Sequence, residues 1–148
     1  MAVREIVLST DDFIRKTSKP VKDFDKTLHE LLNDMRDTLF ENDGAGLAAV
    51  QVGVLKRVFI TYANESLIEF INPEIIKQSG KQINKEGCLS VKQPWGMVER
   101  PKQLTIKAFD RYGQQFTLSC EGYQAVAISH ENDHLDGILY IDKLIKET

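Results

Sequence analysis

The sequence predicts an α+β fold, and three features carry that expectation. An apolar stripe at helical spacing lies near the N-terminus, β-branched and aromatic runs fill the middle, and a short last helix carries His130-Glu131-Asn132-Asp133-His134. The expected architecture is antiparallel strands around a C-terminal helix that carries this H-E-x-x-H motif, with one longer N-terminal helix. Strands and helices do not alternate in the βαβ manner that a parallel sheet requires.

The elements follow in chain order. Leu28, Leu31, Leu32, Met35 and Leu39 fall on one face of a helix. Asp23 or Asp25 is placed to cap its start, and Asn42-Asp43-Gly44 to stop it. Residues 57–62 are rich in β-branched and aromatic side chains and read as a strand. Residues 67–71 are its partner across Ala63-Asn64-Glu65-Ser66, and Pro73 is expected to limit that second strand. Residues 81–101 show little periodicity and read as extended or loop. Residues 104–109 and 115–120 form a hairpin across Asp110-Arg111-Tyr112-Gly113. The last helix runs from about Gly122 to Leu135, with Gly137 just beyond its end.

The 148 residues fit one domain, 1–148, long enough to bury a sizeable core without disulfides. Nineteen Lys+Arg against 22 Asp+Glu give a formal charge of −3, which argues against a chain built to grip nucleic acid. No apolar run approaches the roughly 20 residues that span a bilayer, so no membrane association is expected. The N-terminus has only Ile6-Val7-Leu8 before acidic residues, which is not an export signal. Two cysteines without such a signal suit a reducing cytoplasm and favour metal binding or catalysis over a disulfide.

His130 and His134 lie at i and i+4, so both imidazoles project from one helix face and can share a metal ion. Glu131 is then the general base for water activated at that ion. A metzincin needs a further histidine where Tyr140 stands, so that arrangement fails. A downstream glutamate ligand has only Glu147 available. The third ligand therefore lies upstream, with His29, Cys88 and Cys120 as candidates that spacing does not separate. A Cys-His-His set with one open position is a catalytic type of shell. In a third segment, Gly44-Ala45-Gly46-Leu47-Ala48-Ala49-Val50-Gln51-Val52-Gly53, Gly44 and Gly46 at i and i+2 allow close backbone approach to another chain or a ligand. Gln51 among these small apolar residues needs a hydrogen-bond partner, and a developing oxyanion is one candidate.

Taken together and in order, Gly44-Ala45-Gly46-Leu47-Ala48-Ala49-Val50-Gln51, Glu86-Gly87-Cys88-Leu89-Ser90 and His130-Glu131-x-x-His134 resemble the three signature motifs of the peptide deformylases. The likeness extends to Ile71-Asn72-Pro73-Glu74-Ile75 and to residues 135–142, and covers most of the chain from about Asp25 to Leu144. The chain resembles a divergent short form without a long C-terminal tail. It departs from the usual pattern at Val50, Lys92, Ser129 and Asn132, and Leu8-Ser9-Thr10-Asp11-Asp12-Phe13 lacks the usual proline-aspartate pair.

The resemblance implies Cys88, His130 and His134 as metal ligands and Glu131 as general base. It gives Gln51 and the Leu89 N–H the carbonyl oxygen to hold. It places Ala45, Gly46, Tyr123, Val126 and Ala127 around the substrate, and it pairs Glu86 with Arg100. The implied reaction is hydrolysis of the N-formyl group from formyl-methionine at the start of newly made polypeptides. The implied cofactor is one divalent ion, ferrous iron in the first instance, with zinc, nickel or cobalt also suited to such a shell. A transient encounter with the ribosome follows from that substrate. An endopeptidase, a module with a structural metal, and a relative that has moved to another N-acyl amide or to binding alone are the alternatives.

Overall fold

The structure, a computed structural model, describes residues 2–145; Glu147 lies outside them. Helix α1 (Lys26–Glu41) starts on Asp25, whose carboxylate accepts the Leu28 backbone N–H at 3.1 Å. It stops at Asn42, after which Asp43 turns left-handed at φ 51°. Every member of the Leu28–Leu39 stripe is buried. Each such side chain contributes roughly 1.5–3 kcal/mol on leaving water, so packing rather than intrinsic propensity holds this helix.

Strands β1 (Gly46–Ala48), β2 (Val58–Ala63), β3 (Ser66–Ser79), β6 (Gln103–Phe109) and β7 (Gln115–Glu121) form one antiparallel sheet in that order. Strands β4 (Gln82–Cys88) and β5 (Val91–Arg100) form a second, two-stranded sheet. Helix α2 (Tyr123–His134) follows β7. The turn between β2 and β3 places Asn64 and Glu65 at φ 52° and 61°, the left-handed pair that matches the twist of a two-residue hairpin.

Strand β2 is buried on both faces. Val58 and Ile60 pack with Leu47 and the α1 leucines, while Phe59 turns the other way and stacks on Phe70 at 4.6 Å. Phe59 and Phe70 share that second cluster with Ala125 and Ile128 of α2. The five-stranded sheet is thus covered by α1 on one face and α2 on the other. This buries α2 so thoroughly that His130, Glu131 and His134 sit at its inner surface.

One expectation needs correction. Pro73 does not limit the strand, because β3 continues through it to Ser79. One extra residue between Ile71 and Glu74 makes a bulge against β6, where proline's missing N–H costs no ladder bond. Asn72 fixes that bulge at φ 50° by accepting from the Val21 N–H and donating to the Val21 carbonyl. Residues 81–101, read as extended or loop, are extended, and they pair in a ladder from Gln82–Arg100 to Glu86–Gly96.

Candidate active site and metal centre

Strand β4 delivers Cys88 to the buried turn of α2 that carries the two histidines. One ligand-type atom each from Cys88, His130 and His134 lie within 4.8 Å of one another. Cys88 Sγ is 3.4 Å from His134 Nε2. Of the three candidates for the third position, only Cys88 joins the histidines. His29 instead donates from Nε2 to the Arg111 carbonyl at 2.8 Å, and Cys120 packs against the core, where burial raises its thiol pKa.

The histidines are positioned from behind. His130 Nδ1 is 2.9 Å from Glu86 Oε1, and its ring stacks on that of the buried Tyr140. Glu86 is gripped in turn by Arg100, whose Nε and Nη2 both donate at 2.9 Å, so the anticipated pair is present. It is fully buried and bidentate, which makes it a rigid strut. Arg100 also reaches Asp133, which holds Lys143 at 2.9 Å.

Burial opposes a charge on His130, but Glu131, Cys88 and Glu86 outweigh it and raise the imidazole pKa to about 10. Burial, with the nearby cations, drives His134 well below its ordinary value. The anionic groups around the cluster therefore favour a positive charge where the ring nitrogens and the thiol converge. That field, with a donor set of one sulfur and two imidazoles, fits a divalent ion of the zinc or ferrous type.

Glu131 is buried beside this cluster. Its Oε2 lies 3.9 Å from His130 Nε2, and its Oε1 has no hydrogen-bond partner among the described residues. Burial, partly offset by His130 and Arg100, pushes its carboxyl up to about 7. Gly46 of β1 makes room for it: a Cβ there would stand 2.6 Å from Glu131 Oε2. Gln51 follows β1 in a short 3-10 turn (Ala49–Val52). Its Oε1 accepts from the Ala48 N–H at 2.9 Å, and its Nε2 donates to Ser90 Oγ at 3.1 Å and faces Cys88 Sγ at 3.5 Å.

A cleft of about 540 Å³ opens over these groups. Ala45, Gly46, Gln51, Cys88, Leu89, Tyr123, Val126, Ala127, His130 and Glu131 line it, and His134 lies fully buried outside the lining. Two edge strands, β1 and β4, border the cleft with α2 between them. Trp95 of β5, with Asn84 and Lys85 of β4, lines it as well; sequence reasoning missed these because it did not recognise the β4–β5 ladder. Val50, Lys92, Ser129 and Asn132 are not among the lining residues.

Known proteins are similar to this chain over nearly its whole length. The polypeptide deformylase family model matches residues 3–148. A peptide deformylase of Caldicellulosiruptor bescii is 51% identical over 146 residues, 99% of this chain and 88% of the relative. One from Alkaliphilus metalliredigens is 46% identical over 147 residues, 99% of this chain and 100% of the relative. The crystal structure of the Thermotoga maritima peptide deformylase superposes with a TM-score of 0.95 at 35% identity, over 97% of this chain and 99% of that one. The fold, the cleft and these matches place the chain in the polypeptide deformylase family.

Proposed function

We propose that this protein is a metal-dependent amide hydrolase that removes the N-formyl group from the formyl-methionine end of newly made polypeptides. The observation that carries the reading is the convergence of Cys88, His130 and His134 beside Glu131, with Cys88, His130 and Glu131 lining an open cleft and His134 buried just behind it. Full-length similarity to proteins named peptide deformylase supports the substrate.

Cys88, His130 and His134 would hold one divalent ion, with Fe2+ the first candidate and Zn2+, Ni2+ or Co2+ the others. Such an ion, when bound, makes hydroxide available from water at neutral pH and polarises a carbonyl. Glu131 takes the proton from the attacking water and delivers it to the leaving amine nitrogen. A carboxyl pushed up to about 7 does both near neutrality. Gln51 Nε2 and the Leu89 N–H donate to the formyl oxygen as it gains charge. Ala45, Gly46, Tyr123, Val126 and Ala127 receive the methionine, the small residues leaving room for an unbranched side chain. Edge strands β1 and β4 offer backbone groups to an extended peptide between them.

Among the described residues no helix is long and apolar enough to cross a membrane. A cytoplasmic site of action and a transient encounter with the ribosome belong to the same reading, since nascent chains emerge there. The direct test is deformylation of formyl-Met-Ala-Ser by anaerobically purified protein loaded with iron or nickel. Turnover that is lost in Glu131→Ala, with the metal retained, is the expected result. A metal-loaded wild type that leaves the peptide intact, or a Glu131→Ala variant that still turns over, overturns it.

A further inference from the structure

The chain has one tryptophan, Trp95, and it is 62% exposed on the cleft wall. An indole buries 150–250 Å² when it packs, so leaving one in water at a substrate cleft forgoes a large apolar gain. Trp95 adjoins the Glu86–Gly96 pair of the β4–β5 ladder. A Cβ on Gly87 would come within 2.3 Å of the indole Cε2, so the ring rests directly on the Gly87 backbone. Strand geometry and the missing side chain at 87 therefore aim the indole, next to Cys88, while most of its surface is left open. The methionine-receiving residues Tyr123, Val126 and Ala127 come from α2, a different wall of the cleft.

We propose that Trp95 is a specificity-determining residue whose open indole face takes a side chain downstream of the formyl-methionine, favouring aromatic over small polar residues. The inference rests on the deformylase reading. An extended peptide advances about 3.3 Å per residue, so the second and third residues are the ones within reach of a ring seated on Gly87, the residue before Cys88 in β4.

The test walks one phenylalanine through positions two to four of formyl-Met-Ala-Ser-Ser and measures kcat/KM for each peptide relative to the parent. Wild type should prefer phenylalanine at position two or three by about three- to tenfold, carried in KM, and a preference confined to position four would count against the inference. Trp95→Ala should bring that ratio to about one, Trp95→Phe should retain most of it, and Tyr112→Ala, an exposed aromatic outside the cleft, should leave it unchanged. Because Trp95 is the lone tryptophan, its emission gives a readout independent of turnover. The product peptide carrying the preferred phenylalanine should shift it more than free methionine does. No preference in wild type, an equal preference in Trp95→Ala, or a preference lost instead in Phe40→Ala overturns the inference. Failure to turn over any of the peptides removes the reading beneath it as well.

Discussion

Glu86 Oε1 lies 2.9 Å from Nδ1 of His130. Burial acts against a charged Glu86, but hydrogen bonds and charge from His130 and Arg100 prevail and lower its pKa to about 2. An ionised carboxylate only accepts, so His130 Nδ1 holds a proton toward Glu86, and Nε2 is the ring nitrogen that a bound ion would take in place of its proton. Loss of such a support costs about 10–100-fold in metal affinity. Glu86→Ala should show that loss in a chelator competition with zinc, and unchanged affinity would sink the assignment of Glu86 as the group that orients His130.

The same carboxylate predicts acid sensitivity. Its folded pKa lies below the ordinary 4.5, so its contribution is complete above the unfolded value and is lost as pH falls from about 4.5 toward about 2. Over that window the unfolded chain binds more protons, and stability falls with pH by on the order of 3 kcal/mol from this group. Urea midpoints of metal-free protein at pH 5, 4 and 3 should drop more steeply for wild type than for Glu86→Ala. Parallel slopes would mean that another group sets the acid limit.

What could be read from the sequence was what lies close together in it. His130 and His134 face the same way because any helix puts i and i+4 on one side, and the α1 stripe announces itself in the same manner. The choice among His29, Cys88 and Cys120 was not local. Cys88 meets His134 across 46 residues of chain, and only the resemblance to a known family pointed to it. The β4–β5 ladder was hidden because Ile83, Trp95 and Met97 stand exposed, which erases the polar-apolar contrast that marks a strand. Pro73 misled because Asn72 holds its bulge through Val21, 51 residues earlier, and no neighbouring residue signals that contact.

Gly46 offers a test of how tightly the base is held. In Gly46→Ala the new Cβ would fall 2.6 Å from Glu131 Oε2, so the carboxylate must move. Overpacking of this kind costs about 1–3 kcal/mol, while a displacement near 1 Å at a reacting group can cost about 10²-fold in rate. The expected outcome is a large fall in kcat with metal content unchanged and only a modest drop in melting temperature. Wild-type kcat in this variant would show that Glu131 has freedom the packing does not suggest.

Gln51 separates a catalytic donor from a structural one. Its Oε1 closes the turn by accepting from Ala48, and its Nε2 is steered toward Cys88 by Ser90. Gln51→Ala removes both, leaving the Ala48 N–H buried without its partner at a cost of about 1–3 kcal/mol of stability. If Nε2 stabilises the developing oxyanion, kcat should fall by about 10²–10³ as well. Ser90→Ala keeps the donor but frees its anchor, so it should lower kcat by less while leaving the Ala48 bond intact. Steady-state kinetics beside thermal melts of the two variants distinguish the cases. A Gln51→Ala enzyme that melts early yet keeps its kcat would confine Gln51 to holding the β1 turn, and the burden on the formyl oxygen would then pass to the Leu89 N–H.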